Sequence, residues 1–311
     1  MTEVIPWLRA SGPEPREWTP NFPFSYPCYE HATLTDLLNG ASLSWKFYPH
    51  SAGGLWTAPN AIQHMCQPNN GTIPGDVCVG SDWVGHVAPY VPPNPPQAGK
   101  MAPILTDIEN CQLAAVSWVV PDGDWSDHAG EHSGPDGPSW VAAIVNDVGQ
   151  SHCDGNGYWR NTAIFVTWDD WGGWFDHVMP PQPFRDQYEL GFRVPLIVVS
   201  AYTPPAYVSG SFSPSQPNTP CDINTGDPNH CYDFGSILRF VEENFGLGEI
   251  SPNYHYADRL ANKLDDGFFS YPLRTPFVPI PAPHDANYFK NFGTNPGDPP
   301  PADPDDDALE D

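Results

Sequence analysis

TAIFVTWDDWGGWFDHV, residues 162–178, combines a strand-like run with a pair of acidic residues. The run TAIFVTW has the length and apolar character of a buried strand, and it ends directly in Asp169 and Asp170. Gly172 and Gly173 follow, and glycines let the backbone turn sharply beside the two carboxylates. The segment therefore predicts a strand that delivers an acidic pair to a tight turn.

The rest of the chain alternates between strand and helix patterns. Further strand-like runs are LSWKFY (43–48), LAAVSWVV (113–120) and VPLIVVS (194–200). Helix-like segments are TLTDLLNG, with Thr33 as N-cap and Gly40 as its stop, GPSWVAAIVNDVG (137–149), and GSILRFVEENFG (235–246), whose Ile237, Leu238, Val241 and Phe245 share one face. Buried strands that alternate with helices indicate an α/β fold with a mainly parallel sheet.

The chain is strongly acidic. Among its 311 residues, 12 Lys and Arg stand against 38 Asp and Glu, and the formal net charge at pH 7 is −26. So few basic residues cannot neutralise a row of phosphates, and an anionic lipid surface would repel the chain. We therefore expect no nucleic-acid partner and a small or neutral-headed substrate, although the acidity is equally well explained by solubility.

The length of 311 residues allows one large or two modest domains, and we expect one domain over residues 1–293. Hydrophobic residues make up 40% of the chain, which is enough for a core, while 40 Pro and 27 Gly indicate long ordered loops. Residues 294–311 are rich in Pro and Asp, so we expect a disordered tail. The sequence contains no apolar run near the ~18 residues of a transmembrane helix and shows no signal-peptide pattern at its start.

Seven cysteines are many for a cytosolic enzyme, and none forms a CxxC pair. Cys66 and Cys78, and likewise Cys221 and Cys231, bracket short polar loops. This layout predicts two local disulfides and favours a secreted or periplasmic location. Because the count is odd, at least one thiol is free or has its partner outside this chain.

Paired carboxylates at the end of a buried strand suit a cation. In open α/β sheets ligands bind at the carboxyl ends of strands, and carboxylate oxygens favour a hard divalent metal that polarises a phosphoryl oxygen. Asp169 and Asp170 are therefore candidate metal ligands, unless they only cap the turn that follows them. Asp176 and His177, across the turn, could support the ligands by hydrogen bonds, or His177 could be a buried structural histidine.

A second acidic loop, VVPDGDWSDHAGEHSGPDG (119–137), also follows a predicted strand. If the two strands are neighbours, both loops lie at one rim of the sheet. Asp127 and His128 are adjacent, so their side chains tend to diverge and a Ser126-Asp127-His128 triad is geometrically implausible. The loop offers several candidate metal or phosphate ligands, namely Asp122, Asp124, Asp127, His128, Glu131 and His132. It indicates a metal or phosphate role for His128, with a solvated acidic loop as the alternative.

Three tryptophans lie in these two loops. Trp125, Trp171 and Trp174 could form an apolar wall for a substrate. They could equally pack beneath the loops, which is the usual place of such large side chains.

These segments together resemble the bacterial phosphoesterase family that includes non-haemolytic phospholipases C and related acid phosphatases. The matching segments occur in the family's order over residues 28–280. They are TLTDLL, LSWKFY, LAAVSWVVP, SDHAG, PSWVAAIVNDVGQS, TAIFVTWDDWGGWFDHV, FRVPLIVVS and DFGSILRFVEENFGL. The resemblance implies a three-layer α/β/α domain of the alkaline-phosphatase-like kind. It also implies that Asp169 and Asp170 bind a divalent metal and that His128 holds the phosphate, with Asp127 as a weaker neighbour.

The sequence also departs from the family pattern. The family's amino-terminal block of metal ligands and the segment with its hydroxyl nucleophile have no counterpart here. We therefore expect an N-terminally incomplete domain that depends on a complementing N-terminal segment.

Two functions fit this pattern. The first is a metal-dependent hydrolase of phosphate esters, of the phospholipase C or acid phosphatase type, with low turnover as this chain. The second is a catalytically inactive binding or structural remnant of the same fold.

Overall fold

A computed structural model describes most of the predicted domain. The described residues are 29–53, 56–68, 80–90, 102–128, 134–155, 157–178, 180, 191–209, 232–250, 263–271 and 276–292. The predicted disordered tail, residues 294–311, and the predicted Cys221–Cys231 disulfide lie outside them.

The first helix begins as its sequence predicts. Helix α1 spans Leu34–Gly40, and Thr33 is its N-cap. The backbone N–H of Thr33 donates to Oδ2 of Asp36 at 2.7 Å, which closes a capping box. Since α1 leads directly into the first strand, this cap sets where that strand starts.

A parallel strand pair forms the first sheet. Strand β1 (Trp45–Tyr48) pairs in parallel with strand β2 (Val116–Val119), and helix α2 (Pro103–Glu109) lies between them in the chain. On the other edge of β1, Phe47 donates to the carbonyl of His86 and accepts from the N–H of Ala88. Both strands lie where the sequence predicts them, but helix α2 between them is not among the predicted helices. The carboxyl ends of β1 and β2 lie side by side.

The second sheet differs from the prediction of one mainly parallel sheet. After helix α3 (Asp136–Gln150), strand β3 (Ala163–Thr167) pairs antiparallel with strand β4 (Leu196–Ser200). Within the described residues the strands thus form two separate two-stranded sheets, one parallel and one antiparallel. Short apolar runs look the same in either orientation, so pattern alone does not specify strand direction. The α/β class is confirmed.

Two hydrophobic cores hold these elements. The larger joins α2, α3 and helix α5 (Ala286–Lys290) around aromatic side chains, namely Tyr48, Tyr90, Trp125, Trp140, Phe289 and Phe292. The smaller lies between α1, the first sheet and helix α4 (Phe234–Phe245), around Leu34, Leu38, Trp45 and Met65. Trp125 is therefore a core residue.

Helix α4 confirms part of its predicted apolar face. Asp233 caps its start by accepting from the N–H of Ser236 at 3.1 Å, and Gly246 ends it in the left-handed conformation, with φ 65°. Leu238 and Val241 pack against the smaller core. Phe245 is exposed, so the buried stripe is narrower than the periodicity predicts.

One disulfide among the described residues joins two cysteines that the sequence did not predict to pair. Cys111, just after α2, is bonded to Cys153, just after α3, across 42 residues of sequence. Cys66 is also disulfide-bonded, with its partner outside the described residues, so the predicted Cys66–Cys78 pair stays a prediction. Among the described residues no helix combines the length and apolarity needed to span a bilayer.

Candidate functional site

The acidic pair lies where the sequence predicts, directly after β3 on an exposed turn. Oδ1 of Asp169 accepts from the N–H of Asp170 at 3.1 Å, and Oδ1 of Asp170 accepts from the N–H of Gly172 at 2.6 Å. Gly172 and Gly173 have φ values of 65° and 73°. The turn-capping role is therefore real, and it uses one oxygen of each carboxylate.

The carboxylate oxygens at this turn are donors that suit a hard divalent cation, but two carboxylates are too few ligands to hold one. Within the described ranges, no three His, Cys, Asp or Glu side chains lie close enough together to hold a metal ion. Metal affinity depends on the number of ligands and on their preorganisation. Asp169 and Asp170 alone do not form a metal centre.

Asp176 fastens the far side of the turn. Arg193, just before β4, donates from Nε to Oδ2 of Asp176 at 2.7 Å and from Nη2 to Oδ1 at 2.9 Å. The N–H of Val178 donates to the same carboxylate at 3.0 Å. The Arg193 hydrogen bonds, helped by that of Val178, hold the pKa of Asp176 well below its usual range. Asp176 thus ties the loop after β3 to the start of β4.

Aromatic side chains cover the outside of this loop. Trp171, Trp174 and Phe175 are exposed, and so is His177, whose ring lies 5.5 Å from that of Phe175. The expectation of a buried histidine is therefore wrong. Phe192 is the aromatic residue that packs beneath Trp171 and Phe175.

The loop after β2 presents His128 to solvent. Ser126 organises it, because its Oγ donates to the carbonyl of Gly123 at 2.8 Å and accepts from the N–H of His128 at 3.0 Å. The exposed imidazole lies 6.2 Å from the ring of Trp56. His128 is therefore available to a ligand on the protein surface.

Asp127 has a different environment from its neighbour. Its backbone is in the left-handed region, with φ 60°, and its carboxyl packs on Gly137 in the first turn of α3. Burial raises the pKa of Asp127. The side chains of Asp127 and His128 thus diverge, as is expected of two adjacent residues.

Sequence reasoning missed a buried pair at the carboxyl ends of β1 and β2. Nδ1 of His50 lies 2.8 Å from Oδ2 of Asp122, and both side chains are buried. The two atoms are at ion-pair distance without the alignment of a straight hydrogen bond. His50 comes two residues after β1 and Asp122 three after β2. Asp122 is among the candidate ligands predicted in the loop after β2, and the same strand-end reasoning applied to β1 could have found His50 as well.

Aromatic rings enclose this pair. The ring of Tyr90 stacks on His50 at 5.9 Å, and Trp125 meets Tyr90 edge-on at 5.8 Å. Burial, and then the charges of Asp122 and Asp124, raises the pKa of Tyr90 well above its usual value. Asp122 also accepts from the N–H of Asp124 at 3.1 Å, so it links the end of β1 to the loop that carries His128.

Strand pairing does not bring the two candidate loops to one rim. Strand β2 pairs with β1, and β3 pairs with β4, in separate sheets of the described residues. Within the described residues, the loop with Asp169 and Asp170 and the loop with His128 therefore follow strands of different sheets. Residues 129–133, which include Glu131 and His132, lie outside the described residues.

Comparison with known proteins gives one family and several relatives. The family model described as Phosphoesterase family matches residues 20–248, which contain both candidate loops. The non-hemolytic phospholipase C of Pseudomonas aeruginosa is 24% identical over 287 residues, covering 81% of this chain and 35% of that protein. Phospholipase C B of Mycobacterium tuberculosis is 28% identical over 199 residues, covering 56% of this chain and 35% of that protein.

A third relative has the same proportions. The non-hemolytic phospholipase C of Burkholderia pseudomallei is 25% identical over 261 residues, covering 70% of this chain and 32% of that protein. The chain thus spans about a third of the length of these curated relatives.

Proposed function

Because this chain belongs to the phosphoesterase family, we propose that it hydrolyses phosphoric ester bonds in the manner of a phospholipase C. The observation that carries the proposal is the family match over residues 20–248, since it includes the loops after both β2 and β3. Relatives named phospholipase C in three bacterial genera support the same reaction class. The alkaline-phosphatase-like three-layer fold belongs to this proposal as well.

The proposal gives the two loops different roles. Asp169 and Asp170 would each offer their second carboxylate oxygen to a divalent cation, with further ligands from outside the described residues. Such a cation, when bound, supplies positive charge to a phosphoryl oxygen. The Asp176–Arg193 pair would keep the two carboxylates in position by holding the loop against β4.

His128 would bind the phosphate group. Its exposed ring can donate a hydrogen bond to a phosphoryl oxygen, and Ser126 holds the backbone that carries it. Asp127 is directed away towards α3, so it does not compete for the imidazole. The hydroxyl nucleophile is not assigned to any described residue.

The charge of the chain favours a neutral or zwitterionic substrate. At −26, the molecule repels anionic surfaces, whereas the head group of a phosphocholine ester has no net charge. The Cys111–Cys153 disulfide supports the proposal that the enzyme acts in an oxidising compartment outside the cytoplasm.

A specific observation favours a second candidate, an inactive remnant that retains the fold. Asp169 and Asp170 already serve the turn, and the described residues contain no three-ligand group. A remnant would keep these hydrogen bonds and have no affinity for metal.

One experiment separates the two candidates. Divalent metal binding is measured by isothermal titration for the natural chain, for Asp169→Asn/Asp170→Asn, and for the control Glu243→Gln/Asp266→Asn, which removes two charges elsewhere. The same proteins are assayed on a chromogenic phosphocholine diester. The proposal expects metal-dependent hydrolysis and metal affinity that fall about tenfold or more only in the first variant. Equal affinity in all three proteins, with no hydrolysis, would contradict it.

A further inference from the structure

Three aromatic side chains form an exposed group on the loop after β3, here named the aromatic tip. Trp171 is 43% exposed, Trp174 73% and Phe175 77%. Single exposed apolar side chains are common, but a group of large aromatic side chains exposed together marks a surface that binds a partner. The tip lies within six residues of Asp169 and Asp170, so its partner would lie beside the proposed site.

The tip is held in place by its own contacts. Phe192 supports it from below, with ring centroids 6.1 Å from Trp171 and 6.0 Å from Phe175. The N–H of Trp174 donates to the carbonyl of Trp171 at 3.3 Å, and the Asp176–Arg193 pair closes the base of the loop. The exposed rings therefore lie on a loop that is already ordered, so binding a partner costs the loop little further conformational entropy.

The charges around the tip select one kind of surface. Among the described residues, Arg193 is a cation at the base of the tip, and Asp176 neutralises it. Within the described loop, residues 168–178, the exposed carboxylates are those of Asp169 and Asp170, on a chain with a net charge of −26. An anionic membrane would repel this surface. The outermost group of a zwitterionic phosphocholine layer is a quaternary ammonium, which both carboxylates and aromatic faces attract.

We propose that the aromatic tip docks this chain on a zwitterionic, phosphocholine-headed lipid surface and so presents Asp169 and Asp170 at head-group depth. Tryptophan and phenylalanine rings lie well at the boundary between head groups and acyl chains, where their apolar bodies leave water. The inference rests on the proposed function, because that function makes a lipid ester the substrate. It adds a lipid-binding surface to the proposed site.

Vesicle binding tests the tip without depending on hydrolysis. Flotation with vesicles of a diether phosphatidylcholine, a lipid without carboxylic ester bonds, is compared for the natural chain, Trp174→Ala/Phe175→Ala and Val278→Ala, with metal chelated so that no turnover occurs. Val278 is 74% exposed outside the loop and is the matched control. We expect the double variant to bind about tenfold or more weakly, because two rings no longer leave water, and the control to bind like the natural chain. Brominated lipids should quench tryptophan fluorescence of the natural chain and lose that effect in the double variant.

Three results would overturn the inference. They are equal vesicle binding by the double variant, stronger binding to phosphatidylglycerol than to phosphatidylcholine vesicles, and a dimer in sedimentation that the double variant abolishes, since a second copy would then cover the tip. The proposed function fails separately. If vesicle binding behaves as expected but the soluble phosphocholine diester is not hydrolysed, the docking surface stands and the activity does not.

Discussion

At the residue scale, the His50–Asp122 pair places two polar side chains in the interior at the carboxyl ends of β1 and β2. Their burial is tolerated because the two side chains face each other at ion-pair distance, and removing one partner would leave the other buried alone. Asp122 has a second role, since its Oδ1 accepts from the N–H of Asp124 and so caps the 3-10 turn Gly123–Trp125. The two roles can be separated, because an asparagine keeps an oxygen for the cap and loses the carboxylate that faces His50.

We therefore predict that Asp122→Asn lowers the free energy of unfolding by about 2 kcal/mol. Urea denaturation measures the change, with Asp266→Asn as a control that removes an exposed charge and should change it by less than about 0.5 kcal/mol. Adding His50→Gln to Asp122→Asn should cost less than the sum of the two single changes. Strict additivity would mean that the two side chains do not interact.

Asp147 gives a pH prediction at the same scale. Burial, followed by the charges of Glu109 and Asp285, raises the pKa of Asp147 to about 6 despite the opposing charge of Lys290. A carboxyl whose folded pKa is raised binds its proton more tightly in the native state, so its contribution to stability falls as pH rises from about 4 to about 6. Asp147→Asn should then stabilise the protein at pH 7 by on the order of 1 kcal/mol, after allowance for solvent screening, and have no effect below about pH 4.

Urea denaturation from pH 3 to pH 8 checks this sign. A variant that is less stable than the natural chain at pH 7 would show that the ionised carboxylate makes a favourable contact.

At the element scale, α3 and the His128 loop meet at Gly137. A methyl group on Gly137 would overlap the carboxyl of Asp127, whereas one on Gly134 would meet nothing within 4 Å. Alanine in a helix is normally about 1 kcal/mol better than glycine, but at Gly137 it fits only if the Asp127 carboxyl, at the end of a flexible side chain, moves aside. The first turn of α3 thus limits where the loop can lie.

Gly137→Ala should lower the free energy of unfolding by at most about 1 kcal/mol, because the Asp127 carboxyl must move aside, and weaken phosphate binding at His128. Gly134→Ala should do neither. In an Asp127→Gly background the overlap is gone and glycine suits the left-handed φ of 60°, so Gly137→Ala should become neutral or stabilising there. Thermal unfolding and phosphate titration followed by the NMR signals of His128 measure both effects. Destabilisation that persists in the Asp127→Gly background would show that the overlap is not its cause.

At the scale of the whole molecule, the Cys111–Cys153 disulfide ties the end of α2 to the end of α3. Closing a segment of 42 residues removes conformational freedom from the unfolded chain. We predict that Cys111→Ser/Cys153→Ser lowers the free energy of unfolding by about 4 kcal/mol, measured by urea denaturation. Non-reducing peptide mapping of protein from an oxidising host should recover the Cys111–Cys153 peptide pair and identify the partner of Cys66. Recovery of free thiols at Cys111 and Cys153 would contradict the prediction.

The amino-acid pattern alone determined much about this protein. The N-cap at Thr33 and the strand–helix–strand order of β2, α3 and β3 follow from short-range preferences, because hydrogen bonding and apolar periodicity act over a few residues. The strand that ends in Asp169 and Asp170, and its glycine turn, follow in the same way. The family was recognisable too, because its motifs are local strings.

Only the tertiary structure decided how these elements meet. It made β3–β4 antiparallel, paired His50 with Asp122, joined Cys111 to Cys153 and placed Trp125 in the core while Trp171 and Trp174 stay in water. Each of these outcomes depends on contacts between residues far apart in the chain, whose free energy depends on the packing of the whole domain. A short apolar run has the same local pattern in a parallel and in an antiparallel sheet, and a tryptophan has the same neighbours in sequence whether it is buried or exposed. The sequence within a few residues therefore does not distinguish these outcomes.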